Sequence, residues 1–537
     1  MVANQLGIKH FQDKLIGKGT GLMVNVRAPE LPQNFTWINC DREAAREGDR
    51  PLSIKSLRGR IVIIDFWTKS CINCLHVIPD LKYLEQKYSK YLTIIGVHSA
   101  KFEHEQHPDS VQQAVWRYGI THPVIVDSDR YIWQQYAVKA WPTFVVINAT
   151  GYIVATVSGE GKREFLDNLV QQLIEESSGQ RTVDQESLQL NLEPDQTLRL
   201  SPLAFPSKVI ACQQSNSLFI ADTGHHRLVI ASLNGETQAV IGTGSPAWVD
   251  GDLEIAQFCE PMGMVFDYEQ QVIYVADTVN HLLRKIDLKT RQVSTIAGNG
   301  TQSRYLFPHG GKALETALNS PWDLVKIKDK LYITMAGSHQ IWMMDLAQET
   351  IHCFIGTGAE FCVDGSYEVA AFAQPSGITT NGDELFIADS ESSSIRAVTL
   401  GDFPIVRTIC GSGQLFGFGD VDGIGENVRL QHCLGITYGA GYLWVTDTYN
   451  HKLKRVNPTT GECQTICGSG KAGLQDGFGT DVYFSEPSGL AFACNYLYIA
   501  DSNNHAIRRI NLNSQEVTTF QFTMLCSPSV CIPNENK

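Results

Sequence analysis

Two hydrophobic rhythms divide the chain. Up to about residue 176, apolar runs of strand length alternate with stretches whose apolar residues recur at helical spacing. Ile61–Trp67 is a β-branched run with the composition of a buried strand. Leu75, Ile78, Leu81 and Leu84 then share one face, which predicts a helix opening beside Cys71. Pro79 falls inside that helix and predicts a kink. Further strands are predicted at 35–39, 93–98, 123–127 and 143–147. A strand at 153–159 pairs with the last of these through the turn Asn148-Ala-Thr-Gly151. Segment 53–59 reads as a turn, and 109–118 and 162–176 as helices. The alternation predicts an α/β sheet with helices on both faces over residues 35–176, preceded by a weakly patterned arm, 1–34.

Residues 177–196 are polar and read as a linker. Beyond them the chain repeats itself. Ile220-Ala-Asp-Thr, Val275-Ala-Asp-Thr, Ile387-Ala-Asp-Ser, Val445-Thr-Asp-Thr and Ile499-Ala-Asp-Ser recur, with a degenerate copy at Ile333-Thr-Met-Ala. Asp222, Asp277, Met335, Asp389, Asp447 and Asp501 stand at spacings of 55, 58, 54, 58 and 54. Each copy follows a Pro-x-Gly-like element, such as Pro261-Met-Gly263 or Pro487-Ser-Gly489, and precedes a segment like Thr-Ile-Ala-Gly298. Four short strands repeated six times predict a six-bladed β-propeller over 197–522, with a tail at 523–537. The recurrent Asp is expected to cap the turn into the next strand, with the His four places later packed beside it. Met335 breaks this pattern in blade three, and Ser393 in blade four. Asp250, Asp364, Asp422 and Asp476 each precede Gly in matching loops. They are read as turn chemistry rather than as calcium ligands. Glu516 to Phe520 is expected as the outer strand of blade six, with 197–200 pairing on it to seal the ring.

Charge changes the picture of the partners. The formal net charge is −14. Residues 1–180 carry +1 and the remainder −15. An acidic propeller repels phosphate backbones, so nucleic acid is not an expected partner. No apolar run is long enough to span a bilayer, and the first residues lack a signal-peptide core. Both point to a cytoplasmic protein without a membrane partner. Fourteen scattered cysteines do not make a disulfide scaffold. Cys410 and Cys467 stand where other copies carry Ala297 or Ile355, so they read as core residues. No role is assigned to the tail cysteines Cys526 and Cys531.

The candidate chemistry is Cys71-Ile-Asn-Cys74. Two cysteines three apart at a helix start can close a disulfide, and the helix N-terminus stabilises a thiolate on the first. A C-x-x-C beside a βαβ pattern reads as a redox motif. Haem attachment needs His directly after the second cysteine, but Leu75 is there and His76 comes one place late. A zinc site needs a second ligand pair. His98, His104, His107, Glu103 and Glu105 read as a solvated, charged loop instead. His76 reads as a surface or partly packed residue.

Asp65-Phe66-Trp67, Cys71-x-x-Cys74 and Trp141-Pro142-Thr143, in that order, resemble the thioredoxin superfamily. The resemblance implies a cis Pro142 against the sulfurs, Cys71 as attacking thiolate and Cys74 as resolving thiol. It implies Asp65 as the buried carboxylate that moves protons for Cys74; desolvation in an Ile-rich strand should raise its pKa toward neutrality. Trp67, Trp141, Pro142 and Thr143 are expected to form the substrate groove, where Trp141 either narrows the groove or offers a stacking surface. Ser70 and Ile72-Asn73 depart from the thioredoxin pattern, so redox direction does not carry over.

The propeller copies resemble NHL repeats. The pair of domains, with Cys-Ile-Asn-Cys-Leu-His at the redox site, is similar to the NHL-repeat-containing protein 2 family. The compact form is what a bacterial member is expected to show. The resemblance implies a thiol–disulfide oxidoreductase acting on a protein partner that docks on the propeller or the C-x-x-C groove, with no metal and no cofactor. The alternative is a non-enzymatic scaffold that keeps an inherited cysteine pair. Oligomeric state is left open.

Overall fold

The computed structural model describes residues 26–40, 52–179, 200–304 and 310–529. The first part is one six-stranded sheet. Its strands are β1 (Trp37–Ile38), β2 (Ile61–Trp67), β3 (Leu92–Ser99), β4 (Val124–Asp127), β5 (Thr143–Ile147) and β6 (Ile153–Ser158). The order is β1-β4-β3-β2-β5-β6. β2, β3 and β4 run parallel, while β1, β5 and β6 join antiparallel. β2 is central and buried at every residue, as its unbroken apolar run requires.

Helices α1 (Ile72–Lys87), α2 (Pro108–Arg117), α3 (Tyr131–Gln135) and α4 (Arg163–Gly179) complete this part. α1 continues through Pro79 to Lys87. α3 escaped the sequence reading because five residues are too few for a periodicity. The expected arm is not all peripheral: Ala28 and Leu31 are buried in the core, and Ala28 N–H donates to Gly151 O at 3.1 Å. Residues 177–179 of the expected linker continue α4, while residues 1–25, the rest of the linker and residues 197–199 of the expected strand lie outside the described residues.

Six antiparallel sheets follow, one per blade. The first has four strands, from Lys208–Cys212 to Thr237–Ile241. Each later blade has five. The extra strand has two residues, such as Gly251–Asp252; it comes from the Asp-Gly loop in four of these blades and is Gly311–Lys312 in blade three. In those four blades a buried cation binds the loop. Arg284 is buried; its Nη1 meets Asp277 at 2.8 Å and its Nη2 meets Asp250 at 2.6 Å. Asp250 also accepts Thr295 N–H at 3.0 Å, tying the loop to the outer strand. Arg396 and Arg508 repeat the arrangement with Asp389/Asp364 and Asp501/Asp476. The recurrent Asp therefore does more than cap its own turn. Asp277 Oδ1 accepts Cys259 N–H, 18 residues upstream, at 2.8 Å.

Blade three loses the ion pair as a unit. Met335 replaces the Asp and Trp342 stands at the Arg position, both buried in an apolar cluster. Losing one partner alone would strand a buried charge; losing both does not. The expected outer strand of blade six is present, and the expected pairing of 197–200 on it falls largely outside the described residues. Glu516–Thr519 is the fourth strand of blade six. The chain then continues to Thr523, whose N–H donates to Gly235 O in blade one at 2.9 Å. At the inner rim, Gly489 N–H donates to Ser207 O at 2.8 Å. Cys526 is disulfide-bonded, and Cys531 lies outside the described residues. Among the described residues no helix is long and apolar enough to cross a membrane.

Arg284→Ala should lower stability by about 3–5 kcal/mol, because Asp277 is left buried and unpaired. Arg291→Ala, which removes an exposed pair with Glu254, should cost under about 1 kcal/mol. Denaturant midpoints of the two variants check the contrast.

Candidate functional site

β2 delivers Asp65 and Trp67 below the start of α1, and the link Thr68–Ser70 places Cys71 as the N-cap residue, with φ −84° and ψ 112°. Cys71 is half-buried; Cys74, one turn inward, is 1% exposed. The thiols are free and share a hydrogen bond. Burial, and then the hydrogen bond and charge of Cys71, push the Cys74 thiol well above its ordinary range. Asp65 lies behind Cys74. Its Oδ1 has no hydrogen-bond partner among the described residues, and burial raises its pKa to about 7, against the pull of His122. A carboxyl poised there can exchange a proton near neutral pH.

The Trp141–Pro142 bond is cis. Trp141 is half-buried, donates Nε1–H to Ser99 O at 3.1 Å and packs against Trp133 at 4.3 Å. It stands with Cys71 on the edge of one apolar cluster. Thr143 is buried, its hydroxyl donating to Ala140 O at 2.7 Å. Trp67 does not line a groove. It is 1% exposed and meets the His98 ring edge-on at 4.9 Å, because its side chain points into the layer between sheet and helices.

The loop read as solvated and charged is so only in part: Glu103 and His107 are exposed, whereas His98 and Glu105 are buried. Glu105 is fully buried. Its carboxylate accepts Thr68 Oγ1 at 2.7 Å, Ser70 N–H at 3.0 Å, and the N–H groups of Lys101 and Phe102 at 2.7 and 3.0 Å. It thus holds the residue before Cys71. Burial opposes its charge, but His98, Thr68, Lys69 and these amides outweigh that and keep its pKa low. His98 is buried in β3, and burial lowers its pKa to about 4. His104 reaches the propeller.

The propeller presents a ring of six residues to this site, each just before an inner strand: Phe205, Glu260, Ser320, Gln374, His432 and Glu486. All six have φ between 44° and 58°, the left-handed region. The N–H of each donates to the neighbouring blade: Phe205, Glu260, Ser320, Gln374 and Glu486 to Nδ1 of His505, His226, His281, His339 and His451, and His432 to Ser393 Oγ, all within 3.2 Å. So the recurrent histidines do not merely pack beside the Asp; they link blades, and Ser393 substitutes for one. Burial lowers the pKa of His226 to about 4 and of His281 and His451 to about 3, which keeps Nδ1 free to accept.

The ring's side chains grip the redox face. Gln374 bonds the backbone on both sides of Cys71: Ile72 N–H donates to its Oε1 at 2.8 Å, and its Nε2 donates to Ser70 O at 2.8 Å. Glu486 pairs with Lys69, and with His104 at 2.9 Å. Burial opposes the Glu486 charge, but Lys69 and His104 hold its pKa well below the usual range. His76, on α1, bonds Ser320 Oγ at 2.6 Å and Glu160 at 2.6 Å. Phe102 packs against His432 at 5.1 Å, and Arg117 lies over the Phe205 ring at 5.4 Å. Beside the ring, Glu391 pairs with Lys101. Burial works against the Lys101 ammonium, but Glu391 and Glu360 raise its pKa. Lys69, Lys101, Gln374, Glu391 and Glu486 were not singled out from the sequence. The available signal was that the residue before each Pro varies from blade to blade while its flanks recur.

A family model described as thioredoxin-like matches residues 59–153. The chain is 42% identical over 505 residues to Protein SUPPRESSOR OF QUENCHING 1, chloroplastic, of Arabidopsis thaliana, covering 91% of this chain and 47% of that protein. The chain thus spans about half the length of that relative. It is 39% identical over 536 residues to NHL repeat-containing protein 2 of Homo sapiens, covering 93% of this chain and 72% of that protein. Residues of the first part are 26% identical over 152 residues to the thiol-disulfide oxidoreductase YkuV of Bacillus subtilis, covering 28% of this chain and 95% of that protein.

Asp65 gives a pH test. Its folded pKa of about 7 exceeds the ordinary 3.8, so its contribution to stability is full below about pH 4 and is lost as pH rises to about 7. Asp65→Asn should therefore gain stability relative to wild type between pH 4 and 7 and hold that gain above 7. Denaturation at stepped pH checks this.

Proposed function

The chain belongs to the NHL repeat-containing protein 2 family, and on that premise we propose that it is a thiol–disulfide oxidoreductase acting on a protein partner. The observation that carries the reading is the stacked arrangement of an accessible Cys71, a buried Cys74 hydrogen-bonded to it, and an unpartnered Asp65 oxygen behind. In the reducing direction, the Cys71 thiolate attacks one sulfur of a partner disulfide. That S–S bond breaks, a Cys71–partner disulfide forms, and the other partner sulfur leaves as thiolate. Asp65 takes the proton of Cys74, whose sulfur attacks Cys71 and releases the second partner thiolate. Two electrons pass to the partner and a Cys71–Cys74 disulfide remains. Trp141, Pro142 and Thr143 form one wall beside Cys71 in this reading.

The propeller's role in this reading is narrower than a free docking surface. Its ring is engaged by the redox face of the same chain, so a partner meets Cys71 along the seam between the two parts. The cytoplasm is the proposed compartment, tested by fractionation.

The scaffold reading is favoured by one observation, the grip of Gln374 on the backbone around Cys71. Full rescue of a deletion by the Cys71→Ser, Cys74→Ser double variant would select it. The oxidoreductase reading predicts that Cys74→Ser accumulates mixed disulfides through Cys71, seen as reductant-sensitive adducts on non-reducing gels. Their absence under both oxidising and reducing growth would overturn it.

A further inference from the structure

Cys71 is the N-cap of α1, and its side chain makes no cap hydrogen bond to the helix. The first amide of the helix, Ile72 N–H, is one of the donors that a helix start leaves unpaired and that favour negative charge nearby. Here that amide is already occupied. It donates to Gln374 Oε1 at 2.8 Å, a side chain from blade four, 302 residues away in the chain. The same carboxamide donates through Nε2 to Ser70 O at 2.8 Å. Gln374 is 4% exposed, so both bonds are shielded from water. Its own backbone is pinned in the left-handed region, φ 58°, by the bond from its N–H to His339 Nδ1 at 3.0 Å. The carboxamide is therefore held rather than free to swing away.

We propose that Gln374 is the positioning residue through which the propeller sets the reactivity of Cys71. It clamps the peptide groups on either side of the cysteine, fixing the turn that presents the sulfur. Its Oε1 also takes up one of the amides whose positive ends make the helix start favourable to a Cys71 thiolate, which moderates that thiolate's stabilisation. Other charged groups reach Cys71 from both parts. Cys74 and Asp65 lie on its inner side, and Glu105 and Lys69 flank Ser70. Lys101 senses the Cys71 charge and is paired with Glu391, as Lys69 is with Glu486. The Gln374 carboxamide bonds backbone groups and none of these side chains.

The sign of the effect separates this role from simple packing. Gln374→Met keeps the volume, removes the acceptor and leaves the Ile72 amide's positive end uncompensated beside the thiolate. Gln374→Glu keeps an acceptor and adds negative charge one residue from the sulfur. The inference rests on the oxidoreductase reading for its biological meaning, but alkylation reads the Cys71 thiolate without any partner or turnover. The full chain is used in a Cys74→Ser background, and iodoacetamide modification is followed at pH 8 on the Cys71 peptide by mass spectrometry. The expected order is Met fastest, wild type between, Glu slowest, with each step roughly threefold or more. Rates within twofold of wild type overturn the proposal. So does any other order, including both variants faster, which is what a merely loosened interface produces. Loss of mixed-disulfide trapping with the order intact would sink the oxidoreductase reading and leave the role of Gln374 standing.

Discussion

Six backbone N–H groups, one at the head of each inner strand, donate to a side chain of the neighbouring blade, and this relay sets the geometry on which the redox site rests. The acceptor is a histidine in five blades and Ser393 in the other. An imidazole can accept at Nδ1 only while that nitrogen is unprotonated. Burial keeps His226, His281, His339 and His451 neutral at ordinary pH. Each such bond is worth only about 1 kcal/mol, yet leaving the buried donor unpaired costs more. The relay therefore holds six non-glycine residues in a left-handed backbone region that L-residues otherwise avoid. That conformation turns their side chains out of the propeller and onto the redox face.

The same face brings together charges that neither part could bury alone. Lys69 and Lys101 come from the redox part, Glu486 and Glu391 from the propeller, and all four are 9% exposed or less. A buried pair adds little net stability compared with apolar packing, but breaking one strands a charge. The pairs thus act mainly on specificity and register: they define a single seating of the C-x-x-C face on the ring. The propeller's acidity, which in the sequence argued only against nucleic acid, supplies two of the carboxylates that make this seating. The exceptions in the repeats follow the same logic. Lys208 and Asp323 stand where other blades carry Gly, and they pair at 2.6 Å between blades one and three. Met335 and Trp342 replace an ion pair together.

Much of the fold was legible in the sequence because it is local. The β2 run and the strand Thr143–Ile147 begin and end where their apolar residues do. Six repeats at near-constant spacing admit few architectures besides a propeller. The short α3 and the two-residue outer strands were not legible. The first is too brief for a periodicity, and the second pair with strands some forty residues on in the chain, in most blades where a buried cation binds a distant Asp-Gly loop. Of the candidate groove, Trp141 shares an apolar cluster edge with Cys71, whereas Trp67 turned inward; alternation along a wholly buried strand does not say which face meets a groove.

By itself the sequence determined the cysteine spacing, the carboxylate six residues before it and the six-fold repetition, since each depends on residues close in the chain. Tertiary structure alone decided what surrounds Cys71. Gln374 is hundreds of residues from the cysteine, and its position in the repeat carries Phe, Glu, Ser or His in the other blades, so no spacing rule could select it. Only closing the ring and seating the redox face upon it bring that carboxamide to the two peptide groups that flank the sulfur.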